Sequence, residues 1–300
     1  MEQNEGVNYS ALQNLLIFRE LSNFFYDLNN YKYALIKGEA LSIQEYGTVG
    51  KRSYNDIDIL ICKDNATEII NIAKKHGFKF SSPENEREQI IKGMMYSHQM
   101  PPLIKYFHGI KIEIDLNIDI FWSEYKKSRI SMDEYLNYST YIQIYNNQIK
   151  VLDIMHSFLQ VILHNYRELN SIYILANTNM IPEKLFKDIY MLLINNSIAL
   201  SPHLVLEESR NLNITQYVYY MIHFTSMFYS TDRFVDYEEA LYSDKAASLL
   251  DKFGLDNQYK WNMDFNERIK CDQIYKVVAE QIQGNEEVGK IYQFFYKKGK

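Results

Sequence analysis

The segment Asn55-Asp56-Ile57-Asp58-Ile59-Leu60-Ile61 constrains this chain more than any other part of it. A β-strand repeats every two residues, so Asp56 and Asp58 project from one face while Ile57, Ile59 and Ile61 go to the other, buried one. Two carboxylates spaced roughly 6–7 Å apart along a strand repel each other unless a cation neutralises them. Magnesium suits that place, because it takes hard oxygen ligands, usually one or two carboxylates together with phosphate oxygens and water. Upstream, Leu35-Ile36-Lys37-Gly38-Glu39-Ala40-Leu41 supplies a glycine-containing turn at which backbone can approach a phosphate. A metal–nucleotide site is therefore one expectation, and a surface strand whose polar face carries two acids is the other.

The neighbouring residues add a resemblance. Lys37-Gly38-Glu39-Ala40-Leu41, then Tyr46-Gly47, then Arg52, then Asp56-Ile57-Asp58-Ile59-Leu60 resembles the nucleotidyltransferase superfamily typified by DNA polymerase β. It looks most like a bacterial branch of largely uncharacterised nucleotidyltransferases. The wider superfamily places Gly-Ser or Gly-Gly before the acid pair where this chain has Gly38-Glu39. The resemblance runs over residues 30 to 195. It implies an α+β fold, with a polymerase β-like core built on a mixed sheet and a helical domain after it. It also implies a third carboxylate on a later strand.

Lys111-Ile112-Glu113-Ile114-Asp115-Leu116-Asn117-Ile118 alternates without a break, so its aliphatic residues face the core and Glu113, Asp115 and Asn117 share the opposite face. By the resemblance, Asp115 takes the third acid's place, with Glu113 as the alternative, and Asn117 stands where the branch carries a His. His98, ahead of Pro101-Pro102, matches a branch His that would contact the acceptor. The resemblance implies a metal-dependent enzyme that moves a nucleoside monophosphate from a nucleoside triphosphate such as ATP to a hydroxyl or similar group. The acceptor would be a small molecule, peptide or protein. Asp56, Asp58 and Asp115 would hold two magnesium ions. Lys37, Gly38, Glu39, Lys51 and Arg52 would line the triphosphate, with Arg52 facing the leaving pyrophosphate. A toxin modifying tRNA or a protein, and a catalytically degenerate nucleotide-binding module, stand as alternatives.

Composition narrows the field. A net charge of −6 argues against a broad surface for extended nucleic acid, which needs clustered Lys and Arg. Residues 1–9 lack the basic start and apolar run of a signal peptide, and no apolar run reaches the length of a membrane span. The two cysteines, Cys62 and Cys271, read as plain thiols, which fits a reducing cytoplasm. Frequent Asn, Ile, Lys and Tyr fit an AT-rich bacterial genome. The spacing of glycines in Gly47-Thr48-Val49-Gly50-Lys51-Arg52 is wrong for a P-loop.

Hydrophobic periods predict a leading helix over 10–28 with Ser10 as N-cap, a strand over 33–37 and a helix from Gly38 through Glu45. A further helix should be capped by Asp64 and end at His76-Gly77. Residues 83–99 read as a loop or short helix. Hairpins should turn at His108-Gly109 and Asn146-Asn147. From Asp153 onward the pattern is helical, over 183–195, 203–210, 214–229, 237–253 and 265–282. The expected domains are residues 1–152, catalytic, and 153–300, a helical acceptor or lid domain.

Overall fold

The computed structural model describes residues 2–52, 54, 56–81, 85–122, 125, 127, 129–255 and 258–282. Ser53 and Asn55 of the acidic segment, and Pro83 at the start of the expected loop, lie outside them. Two compact units are distinguished. One comprises Met1–Ser123, Ser128–Phe158 and Ile194–Ala199, and the other Glu124–Lys127, Leu159–Leu193 and Leu200–Lys300. The short third segment joins the first unit because Asn195 and Asn196 donate side-chain hydrogen bonds of 2.5 and 2.9 Å to the carbonyls of Glu45 and Gln44.

The first unit is an α+β fold on a mixed seven-stranded sheet. Its strands are β1 (Tyr33–Ile36), β2 (Ile57–Ile61), β3 (Lys79–Phe80), β4 (Leu103–Phe107), β5 (Ile110–Asn117), β6 (Ser139–Ile144) and β7 (Asn147–Leu152). They lie in the order β3-β4-β5-β2-β1-β7-β6. Neighbours β1 and β2 are antiparallel, whereas β2 runs parallel to β5 and β1 parallel to β7. Its helices include α1 (Glu2–Glu20), α2 (Ser22–Leu28), α3 (Gly38–Tyr46), α4 (Ala66–Lys75) and α5 (Glu86–Tyr96). Phe18, Leu21, Phe24, Phe25, Ile69 and Ile70 join Ile59, Ile61, Ile112, Ile114 and Leu116 in one buried cluster. The alternating aliphatic residues of β2 and β5 thus find their partners, and the acids are left to the other face.

Several boundaries differ from the sequence reading. Helix α1 begins at Glu2 rather than at Ser10. Leu12 and Leu15 are exposed and Asn14 is buried in their stead, since a carboxylate inside the fold requires its amide. Asp64 sits in a short 3₁₀ turn and α4 starts at Ala66, with no side-chain cap. Gly77 does take the left-handed conformation expected at its helix end, with φ 88°. The β4–β5 hairpin turns at His108 and Gly109, φ 48° and 81°, as the sequence requires. The other hairpin turns at Tyr145-Asn146, one residue earlier than expected, with Tyr145 at φ 51°.

The second unit is mainly helical, with helices at Pro202–Asn211 and Thr215–Tyr229 and all but the last two residues of Lys184–Asn195 among others. The expected helices over 237–253 and 265–282 are each broken, and a two-stranded ribbon pairs Lys252–Phe253 with Tyr259–Lys260. Phe224 stacks on Phe265 at 4.3 Å between ring centres, and Phe186 on Phe228 at 4.9 Å. Arg268, only 4% exposed, lies over the rings of Phe224, Trp261 and Phe265. Among the described residues no helix is long and apolar enough to cross a membrane.

Candidate active site

Strand register brings the acids together. In the parallel β2–β5 pair Asp58 lies opposite Asp115 and Leu60 opposite Asn117. Adjacent strands are about 4.8 Å apart, so Asp115 becomes the same-face neighbour of Asp58, with Asp56 in the bend that leads into β2. The electrostatics agree with that proximity. Burial first, and then the charges of Asp58, Asp56 and Glu113, push the Asp115 carboxyl up to about 6 from its ordinary 3.8, against an opposing hydrogen bond from the Gln99 side chain. Asp56 is raised too, by burial and by Asp58, with the Lys37 charge acting in the other direction.

Asp58 is the most enclosed of the three, 5% exposed. Its Oδ1 accepts from Lys37 Nζ at 2.8 Å and from Asn117 Nδ2 at 3.2 Å. Oδ1 of Asp115 is buried with no hydrogen-bond partner among the described residues. Glu113, the alternative third acid, is paired with the Lys111 ammonium on its own strand and lies opposite Ile104 rather than beside Asp58.

Lys37 and Gly38 form the turn into α3. Lys37 has φ 58° and ψ −154°, a region other residues leave almost wholly to glycine and one that costs on the order of 1–3 kcal/mol. Gly38 follows at φ 42°, and a Cβ there would meet the Tyr54 ring at 3.4 Å. The strained lysine directs its ammonium onto Asp58.

Three other expected triphosphate residues are placed differently. Glu39, 1% exposed, accepts from Asn14 Nδ2 at 3.0 Å, Gly50 N at 2.8 Å, Tyr145 Oη at 2.8 Å and Tyr54 Oη at 3.3 Å. Burial, reinforced by this carboxylate, raises both tyrosines above the usual phenol range. Glu39 therefore ties the loop after α3 into the core. Arg52 donates from one guanidinium nitrogen to both oxygens of the buried Glu45 at 2.8 Å, which braces the end of α3. Lys51 is exposed, and its backbone N–H donates to Ser42 Oγ at 3.0 Å. His98 contributes its carbonyl, which accepts from Ile118 N at 2.8 Å. This contact sets Gln99 in a bridge opposite Asn117 and so beside Asp115.

Gln99 had no signal in the sequence, because a lone bridge leaves no periodic trace. Asn117 had one, its shared parity with Asp115. Glu45 and Asn14 were hidden as ordinary polar positions on helices whose apolar spacing drew the attention.

Among the described residues no three His, Cys, Asp or Glu side chains converge as a ready-made metal-binding group. Magnesium does not need one, since it is usually held by one or two carboxylates and completed by substrate phosphates and water. The donor set fits such a cation. Asp56, Asp58 and Asp115 offer hard oxygens, Asp56 and Asp115 being raised first by burial and then by neighbouring acids, and Asp115 keeps a buried oxygen without a hydrogen-bond partner among the described residues.

A family model described as an uncharacterised nucleotidyltransferase matches residues 3–230. Among curated proteins none matches.

Proposed function

Because the chain belongs to this nucleotidyltransferase family and is thereby a transferase, we propose that it moves a nucleoside monophosphate from a nucleoside triphosphate to a hydroxyl or similar group on a small molecule, peptide or protein. The observation that carries this reading is the register of β2 with β5, which sets Asp115 opposite Asp58. Asp56, Asp58 and Asp115 would hold two magnesium ions. When bound, magnesium supplies charge neutralisation at the phosphate oxygens and acidity at the attacking hydroxyl.

The chain's own groups do the rest. Asp115, set opposite Asp58 across the β2–β5 pair, would take the acceptor's proton. The Lys37 ammonium offsets the charge that builds on the leaving pyrophosphate. The first backbone N–H groups of α3, opened by Gly38, favour an anion at that helix end. Glu39 and Arg52 keep the intervening loop in place. The net charge of −6 supports a compact acceptor over an extended nucleic acid.

Calorimetry with each of the four nucleoside triphosphates tests the reading. Binding of at least one should require magnesium and weaken in Asp56→Asn. Equal affinity in magnesium and in chelator for all four would refute it.

A further inference from the structure

Asp58 already has a cation on it. The Lys37 ammonium stands 2.8 Å from Oδ1, and Asn117 donates to the same oxygen at 3.2 Å. A metal ion approaching that oxygen meets an ammonium in its way, and like charges at such distances repel strongly in a poorly hydrated site. The lysine is fixed at its root and movable at its tip. Its backbone is set by the positive-φ turn and by the Tyr54 ring packed on Gly38. Its side chain is 26% exposed, whereas that of Asp58 is 5% exposed.

We propose that Lys37 is a removable lock on Asp58, occupying the cation position until a triphosphate draws the ammonium away. The inference rests on the reading of the site as a metal–triphosphate centre and adds an order of events to it. Free divalent cation binds weakly because it must evict Lys37. A triphosphate offers the ammonium a more highly charged partner than one carboxylate, and Asp58 is released to the cation arriving with the nucleotide. Linkage makes the effect reciprocal, so whatever factor the nucleotide adds to cation affinity the cation adds to nucleotide affinity, and Lys37 sets much of that factor. Asn117 remains on Asp58 throughout and holds the carboxylate in orientation.

Manganese, followed by its electron paramagnetic resonance signal, is the probe. For the nucleotide-free protein, Lys37→Met should tighten manganese binding by about tenfold or more, and the enhancement produced by a non-hydrolysable triphosphate should shrink correspondingly. Lys37→Arg should stay locked, because a guanidinium can pair with Asp58 as well. Lys79→Met, which removes an exposed charge from the edge strand β3, should behave as the parent.

Lys37→Gln, close to lysine in length, repeats the measurement should the Met variant not fold. In the parent, the Lys37 Nζ resonance should shift when magnesium and the triphosphate analogue are added together, and not with magnesium alone. Unchanged or weaker nucleotide-free manganese binding in the Lys37 variants, or a stationary lysine resonance, overturns the lock while leaving the proposed activity standing. A parent that fails to bind manganese even with the analogue overturns both.

Discussion

Burial and the charges of Asp58, Asp56 and Glu113 lift Asp115 to about 6 from an ordinary 3.8, and that offset has a measurable sign. A carboxyl whose folded value lies above its unfolded one favours the fold while it is protonated in both states. The contribution is complete below about pH 4 and is lost as the pH climbs through about 6. Metal-free protein should therefore lose stability over that interval. Asp115→Asn, which keeps the shape without the charge, should flatten the interval and melt above the parent at pH 7, with the advantage gone below about pH 4. Thermal unfolding in chelator across the range checks it. Parallel curves for the two proteins would mean that neither burial nor the neighbouring acids raise Asp115. With saturating magnesium and triphosphate the same substitution should reverse its sign at pH 7, since the repulsion it relieves is then already neutralised.

Glu39 links elements that are far apart in the chain: α1 through Asn14, the loop after α3 through Gly50 and Tyr54, and the β6–β7 turn through Tyr145. Removing it leaves an amide, a backbone N–H and two phenols competing for no acceptor. Glu39→Ala should cost about 3 kcal/mol or more, and Tyr145→Phe, which deletes one donor only, about 1 kcal/mol. Urea unfolding separates the two, and equal small losses would show that the cluster is not cooperative. The strands around this knot were legible because aliphatic and acidic residues alternate in Ile57-Asp58-Ile59 and Ile114-Asp115-Leu116. Helix α5 was legible only as one of two alternatives, since Glu86-Arg87-Glu88-Gln89 opens it without an apolar period. The hairpin turn was misread by one residue because Asn146-Asn147 looks like a turn pair, whereas Tyr145 takes the left-handed conformation while its hydroxyl reaches Glu39. Alternation anticipated that Asp58 and Asp115 would sit on their strands' shared face. The hydrogen bonds of Glu39 and Arg52 had no such trace, because nothing local distinguishes a carboxylate or guanidinium that faces a substrate from one that clasps a loop.

The whole molecule extends past the family match, which ends at residue 230. Later residues are integral to the second unit. Phe265 stacks on Phe224 and meets Phe186 edge-on, and Arg268 covers the same rings. A chain cut after Ser230 should expose these aromatics and lose the second unit's cooperative unfolding, with dye binding to the bared apolar surface. A truncated chain that melts like the parent would show that the family-matched part of the unit packs without the residues beyond it. The parallel pairing of β2 with β5 bears on how the protein is made. Antiparallel β1 and β2 can close on each other early, but β5 reaches its place only after α4, β3, α5 and β4 have been laid down. On the ribosome, Asp56 and Asp58 therefore emerge well ahead of Asp115, and β1 gains its other neighbour only when β7 follows. A nascent chain thus lacks the Asp58–Asp115 pair until β5 has been made, however early the first two acids appear.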